Sequence, residues 1–148
     1  MNNVMKTEFS ALAENEAFAR AVAAAFVMPL DPTVEELTEI KTAVSEAVSN
    51  SIIHGYKGCE DRTAAKVSME CAMYDGGKVV ITVEDQGIGI RDVRQAMEPM
   101  FSTGDSEERS GMGFTVMESF TDKLKVRSEE GRGTTVIMIK YLDIVSGI

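Results

Sequence analysis

The longest periodic segment of the chain, DPTVEELTEIKTAVSEAVSNSIIH from Asp31 to His54, predicts an amphipathic helix. Its apolar residues recur every three or four positions, which is the spacing of one helix face. Asp31 suits the N-cap and Pro32 suits the first turn. The face that should point inward consists of Leu37, Ile40, Val44, Ala47, Val48 and Ser51. A long helix with one apolar face must pack against a second layer.

The same helix carries a line of polar side chains. Glu46, Asn50 and His54 follow one another at intervals of four, so they stack on one side of the helix. Glu46 and Asn50 lie roughly 140° around the helix from the apolar face. A solvated polar face is the usual reason for such residues, and this line by itself favours that interpretation.

The remaining elements predict a single domain with two layers. A helix precedes the long one, in ENEAFARAVAAAFVMPL, with Asn15 as its cap and Pro29 at its end. Alternating residues from Val67 to Met73 and the segment KVVITVED predict two strands joined by a DGG hairpin. A short helix after Asp92, a helix from Gly113 and the strands KLKVRS and TTVIMIKYL follow. This order predicts an α/β (α+β) two-layer sandwich, with helices on one face of a mixed, mainly antiparallel sheet.

Charge and composition exclude several classes of function. The chain has 148 residues and a net charge of −9, which argues against a broad nucleic-acid surface. A basic protein partner, or a nucleotide held locally, remains compatible with this charge. Cys59 and Cys71 make no zinc spacing, and the longest apolar run is too short to span a bilayer. We therefore expect a cytoplasmic protein that binds neither nucleic acid nor membrane directly.

Three glycine-containing motifs follow the long helix. In EDQGIGI, at the end of a strand, Asp85 precedes Gly87 and Gly89. A carboxylate beside such a turn can accept a hydrogen bond from an amino group. In RSGMGF, Gly111 and Gly113 open a helix, and in GRGTTV Thr134 begins a strand. Each motif alone is also typical of ordinary turns, helix starts and strands.

Taken together and in this order, the four motifs resemble the GHKL family of gyrase, Hsp90, histidine kinases and MutL. The resemblance implies a Bergerat-type fold that binds ATP and Mg²⁺. It implies that Asn50 is the Mg²⁺ ligand, that Asp85 reads adenine and that Glu46 accepts a proton. The other nucleotide-binding residues that it implies, some of them in or beside a lid over roughly 99–110, are Gly87, Gly89, Thr103, Arg109, Ser110, Gly111, Gly113 and Thr134.

One branch of the family matches more closely. EFSAL, NEAFAR, the long helix and ERSGMGFTVME are similar to the anti-sigma-F factors of endospore-forming bacteria, which are stand-alone serine/threonine kinases. The resemblance implies binding of sigma factor F, phosphorylation of a serine on the anti-anti-sigma factor SpoIIAA, and a homodimer. It also implies partner docking at Arg20, which Glu16 can pair with. Relatives usually carry Thr-Lys-Pro in the lid, where this chain reads Ser102 to Asp105, so Arg109 is expected to replace the lysine.

Three alternatives stay open at the level of sequence. The chain fits the branch that controls the general-stress sigma factor, or the ATP-binding fragment of a histidine kinase. It also fits a pure binding module, in which ATP fixes the shape that holds sigma and no phosphoryl group moves.

Overall fold

A computed structural model of the chain describes residues 2–98 and 113–143. Five strands and four α-helices form in this part of the chain. Their order is β1 (Asn3–Ser10), α1 (Asn15–Val27), α2 (Val34–Ser49), β2 (Lys66–Tyr74), β3 (Lys78–Asp85), α3 (Val93–Ala96), α4 (Gly113–Ser119), β4 (Lys123–Glu129) and β5 (Gly133–Tyr141). A short 3₁₀ turn (Met28–Leu30) follows α1, and a π-helical turn (Asn50–Gly55), called the π turn below, continues α2.

The strands form one sheet in the order β1-β2-β3-β5-β4. The core-facing residues of β2 and β3, including Val67, Met69, Ile81 and Val83, pack in one cluster with the buried faces of α1 and α2. The predicted two-layer α/β fold class is thus confirmed. One detail differs, because every described strand pair is antiparallel. β3 and β4 run in the same direction, but β5 lies between them, so no parallel pair is hydrogen-bonded.

The predicted inward face of the long helix is confirmed. Ile40, Val44, Ala47 and Val48 are buried in the core, and Leu37 packs against it. The predicted extension of the helix to His54 is only partly correct, because the α-helix ends at Ser49 and the π turn follows. Tyr56 closes that turn by donating its backbone N–H to the Ser51 carbonyl at 3.2 Å. Such wide turns are rare and frequent at functional sites.

Two predicted helix caps are wrong. Thr33, not Asp31, caps α2, and it forms a reciprocal capping box with Glu36 through bonds of 3.0 and 2.9 Å. Asp31 instead ends the 3₁₀ turn in the left-handed region, at φ 52°. Asn15 is the first residue of α1, and its side chain donates to the Ser10 carbonyl at 2.9 Å instead of capping the helix.

The sequence did not predict β1. Most of its side chains are exposed and only Phe9 is buried, so the strand lacks a clear two-residue apolar period. Tertiary contacts explain its formation: it pairs with β2, and the Phe9 ring packs edge-on against Phe18 of α1 with 6.2 Å between centroids. No helix in the described ranges has both the length and the apolar character needed to cross a membrane.

Candidate nucleotide-binding site

A cavity of about 440 Å³ opens where the π turn, the end of β3, the start of α4 and β5 meet. Its volume is in the range of small-molecule sites, roughly 300–1,000 Å³. The lining residues that matter below are Asn50, Ser51, His54, Gly55, Asp85, Ile88, Gly89, Gly113, Phe114, Thr134 and Val136. Four motifs that lie far apart in the sequence thus contribute to one cavity.

Asp85 is the buried carboxylate of this cavity, with only 3% of its surface exposed. Burial raises the pKa of Asp85, and hydrogen bonds from the Gly87 N–H and the Ser51 hydroxyl oppose that rise. The Gly87 N–H donates to Asp85 Oδ1 at 2.9 Å. A carboxylate has about four acceptor positions, so it retains capacity for a donor from a ligand. The site therefore presents a buried, oriented acceptor for an amino group.

The glycines of the turn after β3 let one backbone segment approach another. A Cβ on Gly87 would lie 1.8 Å from the Gly55 carbonyl oxygen, and that oxygen accepts a 2.7 Å hydrogen bond from the Ile88 N–H. Gly89 has φ 76°, and a Cβ there would lie 2.2 Å from the Glu129 carbonyl oxygen. The turn is therefore packed between the π turn and the β4–β5 connection, with no room for larger residues.

Asn50 begins the π turn and lines the cavity. Its side-chain nitrogen is buried and has no hydrogen-bond partner among the described residues. A buried amide without a partner is costly, which suits a group that meets a ligand. Within the described ranges, no group of three His, Cys, Asp or Glu residues is placed to hold a metal. The side-chain oxygen of Asn50 is the type of hard ligand that Mg²⁺ accepts, usually together with substrate phosphates and water.

Glu46 and the Arg20 pair lie outside this cavity lining. Glu46 is half-buried on α2, one turn before Asn50. Arg20 Nη1 donates to Glu16 Oε1 at 2.8 Å and to Ser45 Oγ at 3.2 Å. The predicted pairing of Glu16 with Arg20 is confirmed, and it extends from α1 to the residue that precedes Glu46.

The sequence matches the histidine kinase-like ATPase domain family over residues 9–140. It is 54% identical over 140 residues to the anti-sigma F factor of Clostridium novyi, with 95% of each chain covered. It is 52% identical to that of Clostridium beijerinckii, covering 98% of this chain and 99% of the relative. For the anti-sigma F factor of Bacillus thuringiensis the identity is 53%, over 96% and 94% of the two chains.

The chain belongs to the anti-sigma F factor group of the histidine kinase-like ATPase family. Solved structures share the fold of this chain. The RsbU and RsbW domains of Rv1364c from Mycobacterium tuberculosis align with a TM-score of 0.67 and 17% identity, over 95% of this chain and 32% of that one. The catalytic domain of histidine kinase ThkA aligns with a TM-score of 0.57 and 17% identity, over 93% and 96%.

The structure brings together part of the residue set that the GHKL resemblance implied. Five of the expected residues line the cavity, namely Asn50, Asp85, Gly89, Gly113 and Thr134, and Gly87 packs directly behind it. The expected contributions of Thr103, Arg109, Ser110 and Gly111, and the whole of the expected lid, lie outside the described residues.

Sequence reasoning missed two residues of the site. The sequence pattern places Ser51 on the apolar face, yet its hydroxyl donates to Asp85. No motif in the sequence marks Gly55, yet a Cβ there would lie 2.9 Å from the Asp85 carboxyl carbon. The available signal was a Ser on an otherwise apolar face and a Gly at a helix end, but only the tertiary contact shows their purpose.

Proposed function

We propose that this protein binds sporulation sigma factor F, blocks its use by RNA polymerase, and transfers the γ-phosphoryl group of ATP to a serine of the anti-anti-sigma factor SpoIIAA. The observation that carries the proposal is that one cavity is lined by the buried Asp85 carboxylate, the Asn50 amide and Gly113. The proposal is supported by relatives called anti-sigma F factors, which match this chain over nearly the full length of both.

Asp85 is the residue that reads the base. Its buried carboxylate accepts a hydrogen bond from the exocyclic amine of adenine, a donor that a 6-oxo purine lacks. The Gly87 N–H and the Ser51 hydroxyl hold the carboxylate in place for that contact. Gly89 and Thr134 complete the wall around the base and sugar.

Asn50 is the residue that would hold Mg²⁺, through its amide oxygen, with Gly111 and Gly113 at the phosphates. When bound, the metal neutralises charge on the phosphates during transfer. Glu46 takes the proton from the serine hydroxyl as the new oxygen–phosphorus bond forms and the bond from the γ-phosphorus to ADP breaks. Positioning and electrostatics supply most of the rate in such reactions.

Partners dock at the Arg20 and Glu16 pair on α1. Glu16 and Ser45 already hold the Arg20 side chain, so this side chain is partly ordered before a partner binds. This lowers the entropic cost of docking. The net charge of −9 favours basic surfaces on sigma factor F. We propose that the protein acts as a homodimer in the cytoplasm.

The test is to incubate the purified protein with SpoIIAA, Mg²⁺ and ATP labelled at the γ-phosphate. We expect acid-stable label on a serine of SpoIIAA. Glu46→Gln should lower transfer by about a hundredfold or more, since a general base contributes roughly 10²–10⁴ in rate, while sigma binding persists. Glu118→Gln, at an exposed position on α4, is the matched control and should transfer normally.

Other outcomes distinguish the alternatives. Sigma binding without label on SpoIIAA indicates the pure binding module. Acid-labile label on a histidine indicates a histidine kinase fragment. Co-purification with the general-stress sigma factor, and not with sigma factor F, indicates the stress branch.

A further inference from the structure

Tyr56 is a buried residue that the mechanism above does not use. It follows the π turn, its ring belongs to the core, and only 7% of its surface is exposed. Its hydroxyl donates to the Lys66 carbonyl at 2.5 Å and accepts from the Gln86 N–H at 2.8 Å. A phenol has one donor and acceptor capacity besides, so both bonds form together.

The two partners of this hydroxyl lie at the ends of two different strands. Lys66 is the first residue of β2, and Gln86 directly follows Asp85 at the end of β3. Gln86 also directly precedes Gly87, whose N–H donates to the Asp85 carboxylate. The Tyr56 hydroxyl therefore holds the backbone N–H of Gln86, the one residue between the base-reading Asp85 and the Gly87 that orients its carboxylate.

Gly55 holds the next part of the same turn. Its carbonyl accepts from the Ile88 N–H at 2.7 Å, and its backbone leaves no room for a Cβ on Gly87. Gly55, the last residue of the π turn, and Tyr56, which follows it, thus hold the backbone at Ile88 and Gln86, on either side of Gly87. The same π turn begins with Asn50, so the bonds join the base-reading turn to the segment that carries the amide at the cavity wall.

We infer that Tyr56 is a positioning residue for recognition of the 6-amino group of a purine nucleotide, acting through Gln86 and Gly87 on the Asp85 carboxylate. The inference rests on the proposed binding of ATP at this cavity. The Tyr56 hydroxyl is bonded to two backbone groups and does not contact the base. Loss of this hydroxyl therefore shifts the position of the Asp85 carboxylate but does not remove the carboxylate from the site.

The test is Tyr56→Phe, which removes one oxygen and keeps the ring. Dissociation constants are measured by calorimetry for ATP and for purine riboside 5′-triphosphate, which lacks the 6-amino group. The loss of one hydrogen bond that positions the acceptor should weaken ATP binding about three- to tenfold. Binding of the purine riboside analogue should stay within about twofold, because it makes no bond to Asp85. The matched control is Tyr74→Phe, at the opposite end of β2, which should change neither constant.

The outcomes separate this inference from the proposed function. A wild-type protein that binds neither nucleotide overturns the proposed function. A wild-type protein that binds ATP, with a Tyr56→Phe variant that weakens both nucleotides equally or neither, overturns the role of Tyr56 alone. A second measurement needs no variant: the Gln86 amide should exchange its hydrogen slowly in nucleotide-free wild-type protein. Exchange at the rate of an unbonded amide would also overturn the inference.

Discussion

At the scale of single residues, Asp85 shows a conflict between stability and function. The folded chain removes this carboxylate from water, and the resulting rise in its pKa means that the folded state binds a proton more readily than the unfolded chain does. At pH values above the folded pKa of Asp85, the ionised carboxylate therefore lowers the stability of the folded state. This destabilisation disappears as the pH falls towards 3.8, the ordinary pKa of an aspartate side chain. A residue retained under this penalty is typical of a binding site.

Asp85→Asn should separate the two effects. We expect the variant to lose ATP affinity by about 10- to 100-fold, since it replaces a charged acceptor by a neutral amide. Without nucleotide, the variant should unfold at a higher temperature than the wild type at pH 7, and this difference should shrink as the pH is lowered towards 4. Calorimetry gives the affinities and thermal unfolding gives the stabilities. Asp75→Asn, in the β2–β3 hairpin, is the control for a general effect of removing one negative charge.

Gly55 packs so closely against Asp85 that a side chain at position 55 would contact the carboxyl group. A Cβ at position 55 would lie 2.9 Å from Oδ2 of Asp85, so Gly55→Ala should displace the carboxylate. We expect ATP affinity to fall at least tenfold, equivalent to about 1.4 kcal/mol. Gly76→Asn is the control, because position 76 has open space and φ +84°, a conformation that Asn tolerates. Equal ATP binding by Gly55→Ala and the wild type would show that the carboxylate does not depend on this contact.

At the scale of elements, the sequence predicted those that carry their own period. The inward face of α2 and the alternation in β2 and β3 come from local repeats, and both were confirmed. β1 and the π turn were not predicted, because both depend on contacts distant in sequence. The Ile52 carbonyl in the π turn, for example, accepts from the guanidinium of Arg62 in the following loop. Asp85 and Asn50 became candidates through the motifs that resemble the GHKL family, whereas the contact of Gly55 with Gly87 joins residues distant in sequence and leaves no local pattern.

The start of α2 gives a prediction at this scale. Glu36 accepts from the Thr33 N–H and from the Asp143 N–H, so the capping box also ties α2 to the residues after β5. Thr33→Ala should destabilise the protein by about 1 kcal/mol. That loss corresponds to a fall in melting temperature of roughly 3 °C. Thr38→Ala, at an exposed position inside α2, should leave the melting temperature unchanged or slightly higher.

Glu36 and Asp85 have opposite effects on how the stability of the protein changes with pH. The hydrogen bond from the Thr33 backbone is the main cause that lowers the pKa of Glu36, followed by other bonds and by the nearby Lys140 charge. The ionised Glu36 carboxylate stabilises the fold fully at pH values above 4.5, the ordinary pKa of glutamate. This stabilisation is lost as the pH falls through the lowered pKa of Glu36 in the folded state. Glu36→Gln should therefore unfold more easily than wild type at pH 7, and the gap should narrow in acid. A gap of constant size between pH 7 and pH 3 would contradict a role for the charge.

At the scale of the whole molecule, α2 connects the surfaces that the proposed function requires. One face of the helix lies in the core, its continuation into the π turn lines the cavity, and Ser45 accepts from Arg20 of α1. Near its start, Glu39 pairs with Lys140 of β5 at 2.9 Å, and Lys140 also donates to the Phe120 carbonyl just after α4. The proposed docking pair on α1 therefore reaches α2 through Ser45, and the cavity reaches the same helix through the π turn that continues it.

This arrangement allows partner docking and nucleotide binding to be separated by mutation. Arg20→Ala removes the half-exposed guanidinium held by Glu16 and Ser45, whereas the groups that line the cavity are unchanged. We expect affinity for sigma factor F to fall by about tenfold or more, as for an interface arginine, at an unchanged dissociation constant for ATP. The matched control is Arg132→Ala, which removes an exposed arginine paired with Glu129 in the β4–β5 connection and should leave both affinities at the wild-type level. Because a partly solvated i,i+4 pair such as Glu16–Arg20 contributes little to stability, the melting temperature of Arg20→Ala should also stay close to wild type. A parallel loss of ATP and sigma binding would instead mean that the Arg20–Ser45 contact is needed to hold α2 itself.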